Sequence, residues 1–321
     1  MLNIVLVFIV FVAGGLLFWL GLLTWRGQSK LMTWAVTPLA VLSAAAICFA
    51  GVLMVAGLTK MHARGAPAPD LTAASTRQQI RRGEAIANSF CAGCHSPNGT
   101  LTGGIDVGKD LPAPIGTFIS SNLTPAGQLR HWSDGQIFRA IRNGVDADGR
   151  WLVIMSYTNA GKLSDDDIHA VIAYLRSLPA AGAATATAPD QFNLLGLFML
   201  GAGLLPTGKP VFTGVVTAPV KEPTERYGAY IMSYQDCREC HGKDLMGGVQ
   251  GQMAPIGPGL SLTASWKLSE FIATMRTGID PSGHQLSKEM PWQPIGKMDD
   301  VELEALYRFL THLPGAQAAQ N

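Results

Sequence analysis

Two copies of one short pattern constrain this chain more than any other feature. Cys91-Ala-Gly-Cys94-His95 and Cys237-Arg-Glu-Cys240-His241 each place a histidine directly behind a pair of spaced thiols. The pattern is compatible with half of a zinc site, with a dithiol redox pair, or with covalent attachment of haem. The spacing of the two copies and their surroundings decide between these chemistries.

The context of the two motifs favours haem. The halves of a zinc ribbon usually lie about 15 to 20 residues apart and need no histidine after each pair, and a thioredoxin-like dithiol belongs to a βαβ unit. Neither context is found in this sequence, where more than a hundred residues separate the motifs. We predict that two haem c groups are bound covalently, with the thiols adding to the haem vinyl groups and the histidines binding iron. The residues concerned are Cys91, Cys94, Cys237 and Cys240 for attachment, and His95 and His241 for the iron.

A methionine from well downstream would complete the ligand set of a high-potential electron carrier. Between His95 and Pro179 the sequence has one methionine, Met155. After His241 there are several, of which Met290 has the same place before its closing helix as Met155. We predict Met155 and Met290 as the second axial ligands, and the remaining methionines after His241 as packing residues.

The sequence around the motifs is internally duplicated. The tetrapeptide Ala-Pro-Ile-Gly begins at Ala113 and again at Ala254, and the Ser-Asn-Leu-Thr that ends at Thr124 matches the Leu-Ser-Leu-Thr that ends at Thr263. A longer stretch repeats at a constant offset of 134 residues: Trp132, Arg142, Gly144, Asp146 and Gly149 recur as Trp266, Arg276, Gly278, Asp280 and Gly283. We therefore predict two copies of one domain, residues 70–179 and 224–314, joined by a linker over residues 180–223 and followed by a tail over residues 315–321.

Each copy is predicted to be a short helical bundle. An opening helix ends in the cysteine motif, and a closing helix begins at the cap Ser164 or Asp299 and stops before a proline. Gly83 and Gly228 in the opening helices are expected to let the closing helix approach, with Tyr174 and Phe309 at the crossings. The predicted fold class is all-α.

The N-terminal region predicts a transmembrane helical hairpin over residues 1–60. The stretches Leu2–Leu23 and Leu31–Leu58 carry no charge, and each is long enough to cross a bilayer. Their connection holds Arg26 and Lys30, which places it in the cytoplasm and the rest of the chain on the periplasmic side of the inner membrane. A cleavable signal peptide is the alternative for the first stretch, but its basic leader is not seen. Cys48, inside the second helix, is expected to be a small packing residue.

A third apolar segment lies within the linker. Residues 192–206 carry no charge, yet they are too few to span a membrane comfortably. A flexible linker should be polar. We expect this segment to lie on the outer membrane surface or against a membrane-embedded partner subunit, and a helix inside one of the domains is the alternative.

Several phrases point to a known family. "GTFISSNLTP", "WSDGQIFRAIRNGV" and "LSDDDIHAVIAYLRSLP" resemble the cytochrome c subunits of membrane-bound alcohol, gluconate and aldehyde dehydrogenases, and residues 75–315 resemble class I cytochrome c domains. Those subunits usually carry three haem domains, whereas the fold predicted here is the hairpin followed by two tandem class I domains. The resemblance implies that a proline carbonyl orients each proximal histidine, from Pro112 or Pro114 and from Pro258. Arg142 and Arg276 are possible contacts of the haem propionates, with solvated arginines as the alternative.

Charge and resemblance together give the functional hypothesis. Lysine and arginine number 24 against 23 acidic residues, which argues against a nucleic-acid partner. We expect a membrane-bound, periplasmic electron-transfer subunit without catalysis of its own, working with other subunits of a dehydrogenase or respiratory complex. A small soluble cytochrome or copper protein is a reasonable further partner. The alternatives are the electron-entry subunit of a terminal oxidase or quinol-oxidising complex, and a haem enzyme or gas sensor with one open iron site.

Overall fold

Helices make up most of the computed structural model, which describes residues 2–26, 29–30, 32–96, 99–183, 190–252 and 254–313. The helices, in chain order, are α1 (Leu2–Trp25), α2 (Thr37–Lys60), α3 (Arg77–Ile86), α4 (Ala92–His95), α5 (Asp134–Asn143), α6 (Val153–Tyr157), α7 (Asp165–Ser177), α8 (Leu194–Gly201), α9 (Glu225–Tyr234), α10 (Cys237–His241), α11 (Leu268–Thr277), α12 (Trp292–Ile295) and α13 (Asp300–Thr311). Strands β1 (Gly116–Phe118) and β2 (Asp190–Phe192) pair in a small sheet. The mainly helical class is confirmed, and the predicted tail, residues 315–321, lies outside the described residues.

The chain divides into two compact units. The hairpin unit consists of residues 1–65, 108–117 and 190–208. The duplicated unit consists of residues 66–107, 118–189 and 209–321. The hairpin unit thus includes a loop, residues 108–117, whose sequence lies within the first repeat.

Small residues hold α1 and α2 together in the hairpin unit. Buried positions recur every seven residues at Val7, Gly14 and Gly21 in α1 and at Thr37, Ala44 and Gly51 in α2, and Gly57 of α2 is buried as well. A seven-residue period keeps one seam facing the partner helix, and small side chains let the backbones approach closely. Both helices are long and apolar enough to cross a membrane.

In the duplicated unit, the opening and closing helices cross at glycine in both copies. A side-chain carbon added at Gly83 would overlap the Ala170 carbonyl of α7 and lie 2.9 Å from Tyr174 Cβ. One added at Gly228 would overlap the Ala305 carbonyl of α13 and lie 2.8 Å from Phe309 Cβ. The predicted crossings are therefore confirmed, as are the caps, because Ser164 and Asp299 accept hydrogen bonds from the third backbone N–H of α7 and α13.

The connection after α5 and α11 repeats in three dimensions. Gly144 and Gly278 end these helices in the left-handed conformation, which glycine adopts without strain. Leu152 N–H then donates to the Gly144 carbonyl, and Leu286 N–H donates to the Gly278 carbonyl. These equivalent pairs keep the offset of 134 residues that the sequence comparison found.

A buried ionic cluster joins the two copies. Arg82 of α3 donates two hydrogen bonds to the Asp167 carboxylate of α7, at 2.7 and 2.9 Å, and one to Glu302 of α13, at 2.5 Å. The Tyr230 hydroxyl of α9 donates to Asp167 and accepts from the backbone N–H of Ser164. Charges removed from water need such partners, so this cluster specifies how the copies pack against each other.

We expect Gly83→Ala to destabilise the first copy by about 1–3 kcal/mol, because the new methyl group overlaps the backbone of α7. The matched control is Gly15→Ala, a helical glycine of α1 whose added carbon meets no atom within 4 Å. Hydrogen exchange of the α3 and α7 amides measures the change. Equal protection in the two variants would contradict the close crossing.

Candidate haem attachment sites

The first cysteine motif ends a nearly continuous helical segment. Thr76 caps α3 in a reciprocal capping box with Gln79, and one π-helical turn over Ala87–Cys91 connects α3 to α4. Such turns are frequent at functional sites because they reorient the residues that follow. His95, the last residue of α4, has Nδ1 2.7 Å from the Ser121 carbonyl oxygen. Burial lowers the pKa of His95, and the Ser121 hydrogen bond opposes that shift. With Nδ1–H donated, Nε2 keeps the free electron pair that a metal needs.

The second motif also ends in a histidine held by a backbone carbonyl, but the helix that leads into it is interrupted. Here α9 ends at Tyr234, two residues break the helix, and α10 carries the motif. Nδ1 of the buried His241 lies 2.7 Å from the Pro258 carbonyl oxygen. Gly257 lies against this imidazole, since a side-chain carbon there would be 2.7 Å from Nδ1. Both histidines are thus oriented by a backbone carbonyl.

The Pro258 carbonyl accepts the predicted hydrogen bond from its histidine, whereas neither the Pro112 nor the Pro114 carbonyl bonds to His95. The prediction for His95 was wrong because Pro112 and Pro114 belong to the loop that groups with the hairpin unit. There the Pro114 carbonyl accepts a hydrogen bond from Asn193 Nδ2, at 2.6 Å. Ser121 supplies the carbonyl instead.

The surroundings of the two histidines are equivalent at the backbone level. Gly103 N–H donates to the His95 carbonyl, and Gly247 N–H donates to the His241 carbonyl. Leu123 N–H donates to the Leu101 carbonyl, and Leu260 N–H donates to the Leu245 carbonyl. These contacts equate Leu123 with Leu260, so the sequence match that paired Leu123 with Leu262 was wrong by two positions.

This pairing also corrects the alignment of the repeated tetrapeptide. Gly257 contacts His241, whereas Gly116 pairs with β2 in the hairpin unit. The two copies of Ala-Pro-Ile-Gly are therefore not equivalent in position, because the first repeat has a longer loop before the carbonyl that holds its histidine.

Two buried leucines mark local strain beside the motifs. Leu101 and Leu245 have φ angles of 53° and 64°, in the left-handed region that non-glycine residues rarely adopt. Strained backbone of this kind persists where surrounding contacts hold it, and it is concentrated at functional sites. Its presence at equivalent positions shows that both copies maintain the same loop geometry behind the histidine.

The first thiol of each motif lies in an environment that disfavours its ionised form. Burial raises the pKa of Cys91 and that of Cys237 to about 12. Thiol–disulfide exchange uses the thiolate, so this environment does not favour such exchange at these two thiols. Within the described ranges, no group of three or more His, Cys, Asp and Glu side chains is placed to hold a metal ion.

The two predicted methionines occupy equivalent positions. Met155 lies in α6 and Met290 just before α12, and both are half-buried. The offset between them, 135 residues, also relates Gly161 to Gly296 and Asp165 to Asp300. Met275 and Met298 are buried in the core, as expected of packing residues, whereas Met246 is exposed and Met253 lies outside the described residues.

Arg142 and Arg276 make equivalent hydrogen bonds, each within its own copy. Arg142 donates to the Gly161 and Leu163 carbonyls and to the Asp165 carboxylate. Arg276 donates to the Gly296 carbonyl and to Asp300. Each arginine therefore ties the end of one helix to the start of the closing helix, and its contact with a haem propionate stays a prediction.

The first copy contacts the segment before the second motif at two places, one of them next to Cys91. The Phe90 ring, before Cys91, packs edge-on against Tyr234 with ring centroids 6.0 Å apart. Asp236, before Cys237, accepts hydrogen bonds from the backbone N–H and the side-chain amide of Asn159, at 2.8 and 2.7 Å. Burial raises the pKa of Asp236, and the Asn159 N–H bond opposes that shift.

A cavity of about 240 Å³ opens beside the loop that follows Ser121. Its apolar lining comes from Leu123, Leu129, Ile137 and Leu175, and two arginines add positive charge, Arg130 and Arg176. The sequence analysis did not single out these arginines, because nothing in their local pattern shows that they border one cavity.

Two thiols and an oriented imidazole on adjoining helical turns fit a covalently attached haem. This is the arrangement of a c-type cytochrome domain, and residues 78–175 match the family model described as cytochrome c oxidase, cbb3-type, subunit III. A domain of this class binds haem c covalently.

Similar proteins extend the likeness to other parts of the chain. The cytochrome c subunit of the quinone alcohol dehydrogenase of Gluconobacter oxydans is 31% identical over 169 residues, covering 50% of this chain and 34% of that protein. The cytochrome subunit of the fructose dehydrogenase of Gluconobacter japonicus is 29% identical over 201 residues, covering 59% and 39%. A dihaem c-type cytochrome of Cereibacter sphaeroides is 22% identical over 272 residues, covering 78% and 90%. The chain thus spans little more than a third of the two dehydrogenase subunits and most of the dihaem cytochrome.

We expect Arg142→Met to lower the stability of the first copy by about 2–4 kcal/mol, because it removes a buried, charge-assisted set of hydrogen bonds. The matched control is Arg276→Met, since Arg276 and Asp300 have side-chain exposures of 37% and 78%, against 1% and 26% for Arg142 and Asp165. That exposed pair should contribute about 1 kcal/mol or less.

Hydrogen exchange in α5 and α7, together with redox titration, separates the two roles of Arg142. A structural role predicts lost protection with unchanged potentials. A shifted potential with full protection would indicate a propionate contact instead.

Proposed function

We propose that this chain is a membrane-anchored dihaem c-type cytochrome that carries electrons between a dehydrogenase or respiratory complex and a downstream acceptor. One observation carries the proposal: the same arrangement of a glycine crossing, a cysteine motif and a carbonyl-held histidine occurs twice. When bound, haem c supplies reversible one-electron transfer at its iron.

The chain's own residues have separate roles in this proposal. Cys91 and Cys94, and Cys237 and Cys240, attach the two groups covalently. His95 and His241 bind iron through Nε2, which their carbonyl partners leave free. Met155 and Met290 are the second ligands, supported by their equivalent positions before the closing helices.

Two tandem class I cytochrome c domains accommodate these sites. The repeated backbone contacts after α5 and α11 support the duplication. The likeness to a dihaem cytochrome over 90% of that protein supports a count of two haems. Contact between Phe90, which precedes Cys91, and Tyr234, at the end of the helix before Cys237, favours a carrier in which both sites act within one chain.

The hairpin supports anchoring in the inner membrane. Most side chains of α1 and α2 are not buried, including Phe8, Leu39 and Leu42, which distinguishes these helices from core helices of a globular domain. Arg26 and Lys30 place the connection in the cytoplasm, so the cytochrome domains lie on the periplasmic side.

The partners follow from the similar proteins. Two of these are cytochrome subunits of dehydrogenases, which favours other subunits of such a complex as the electron donor. A second candidate is a subunit of a terminal oxidase, supported by the match to subunit III of the cbb3-type cytochrome c oxidase. Purifying the native complex and identifying the copurifying subunits distinguishes the two.

The haem count is tested by intact mass after denaturation. We expect the mass of two covalent haems, and one haem in each of the variants Cys91→Ala/Cys94→Ala and Cys237→Ala/Cys240→Ala. One haem on the unaltered chain would refute the double assignment.

The methionine assignments are tested by redox titration. Met155→His and Met290→His should each lower the potential of one haem and abolish its long-wavelength sulfur-to-iron band, because imidazole favours oxidised iron more than a thioether does. Met298→Leu is the control, since Met298 is fully buried in the core.

An unchanged spectrum after Met155→His would exclude Met155 as a ligand. Carbon monoxide binding by the unaltered reduced protein would indicate an open iron site, and hence the haem enzyme or gas sensor. Little binding is expected of six-coordinate iron.

A further inference from the structure

The segment between the two repeats forms a helix that contacts the hairpin backbone to backbone. A side-chain carbon added at Gly57 of α2 would overlap the Leu197 carbonyl of α8, and one added at Gly201 would overlap the Leu53 carbonyl. Membrane helices pack in this way, because glycine lets two backbones approach where lipid gives no hydrophobic driving force. The contact between α8 and α2 is therefore built like a crossing of membrane helices.

Both ends of α8 are also fastened to the hairpin. Asn3 Nδ2 of α1 donates to the Phe192 carbonyl at 2.8 Å, two residues before α8 begins. Lys60 Nζ donates to the Leu200 and Gly201 carbonyls at 2.8 and 3.2 Å. A lysine at the last carbonyls of a helix satisfies groups that have no partner within the helix. The position of α8 relative to the hairpin is thus specified at three places.

The register along α2 sets the depth of α8. With 24 residues, α2 is about 36 Å long, against about 30 Å of hydrocarbon in a bilayer. The crossing involves Leu53 and Gly57, close to the end of α2 at Lys60. In the proposed orientation, this end reaches the periplasmic boundary between acyl chains and headgroups.

The outer face of α8 suits that boundary. Residues 191–208 carry no charge. Leu197 and Leu200 are each 1% exposed, whereas Leu195 and Leu204 are 47% and 63% exposed. An uncharged apolar segment of this length is too short to span the bilayer but suits a position in the membrane interface.

We infer that α8 is a third membrane element, which lies in the periplasmic interface of the bilayer with Leu195 and Leu204 in contact with lipid. The inference rests on the proposed anchoring of the hairpin. It chooses lipid over a partner subunit, because α8 packs on the stretch of α2 where Val52 and Val55 are themselves exposed and, in the proposed anchoring, face lipid. The chain is then attached to the membrane at two places, the N-terminal hairpin and the connection between the two cytochrome domains.

Photochemical labelling from lipid tests this position in the full haem-loaded chain. The protein is placed in vesicles of phosphatidylethanolamine and phosphatidylglycerol, with a trace of phosphatidylcholine that carries a diazirine on its acyl chain. After irradiation, mass spectrometry locates the adducts. We expect adducts at Leu195 and Leu204, several-fold fewer at Leu197 and Leu200, and adducts at Leu39 and Leu42 of α2 as the reference.

The reference separates two kinds of failure. Adducts on α2 with none on residues 194–204 would overturn the interfacial position while leaving the membrane anchor in place. Lipid adducts at Leu195 that form in the chain alone but are lost when the native complex is labelled in the same vesicles would assign the face to a partner subunit and also overturn the inference. An unlabelled α2 would refute the anchoring itself.

A pair of glycine variants tests the crossing. Gly57→Leu should force α8 away from α2 and raise lipid labelling at Leu197 several-fold. Gly15→Leu is the matched control, because an added carbon there meets no atom within 4 Å, and it should leave the labelling of α8 unchanged. Unaltered labelling at Leu197 in Gly57→Leu would contradict the role assigned to this contact.

Discussion

The close approach of two helices at a glycine is the constraint on which the duplicated unit depends. At Gly83 and Gly228 the opening helix meets a backbone carbonyl of the closing helix, so no larger residue fits. The crossing determines where the opening helix points, and each opening helix leads into a cysteine motif. Core burial along α7 and α13 then stabilises an arrangement whose geometry the glycines have already set.

The contact between the two copies has a different physical basis. Arg82 is shared between Asp167 of its own copy and Glu302 of the other, and Tyr230 returns a hydrogen bond to Asp167. Burial alone would lower the pKa of Arg82, but the hydrogen bond and charge of Asp167 raise it above its ordinary value. Because a buried charge is costly without its partners, the cluster favours one relative orientation of the copies. That orientation brings Phe90 against Tyr234 and Asn159 against Asp236, so the two motifs adjoin.

The hairpin unit uses glycine for a related purpose in an apolar setting. Gly14 and Gly51 let α1 and α2 approach, and Gly57 and Gly201 let α8 pack against α2. Elsewhere in this unit, Asn193 donates hydrogen bonds from its side-chain amide to the Pro114 carbonyl and from its backbone N–H to the Ile115 carbonyl. Both carbonyls belong to the loop of residues 108–117. A loop that belongs to the first repeat by sequence is thereby recruited to the hairpin unit, which explains why the two repeats differ most between the cysteine motif and the carbonyl behind its histidine.

The sequence by itself determined the features whose physics is local. Cysteine spacing, the caps Ser164 and Asp299, helical periodicity and the repeat all depend on residues a few positions apart, and the glycine crossings could be anticipated because the same positions recur in both copies. Only the tertiary structure decided that the Ser121 carbonyl bonds to His95 and that the Asp165 carboxylate pairs with Arg142. It also decided that Leu197 packs against α2 while Leu195 is exposed. Every residue offers a backbone carbonyl, and many offer a carboxylate or an apolar surface. Which of these groups come into contact depends on how segments far apart in the sequence pack against each other. Patterns of residues a few positions apart do not specify that packing.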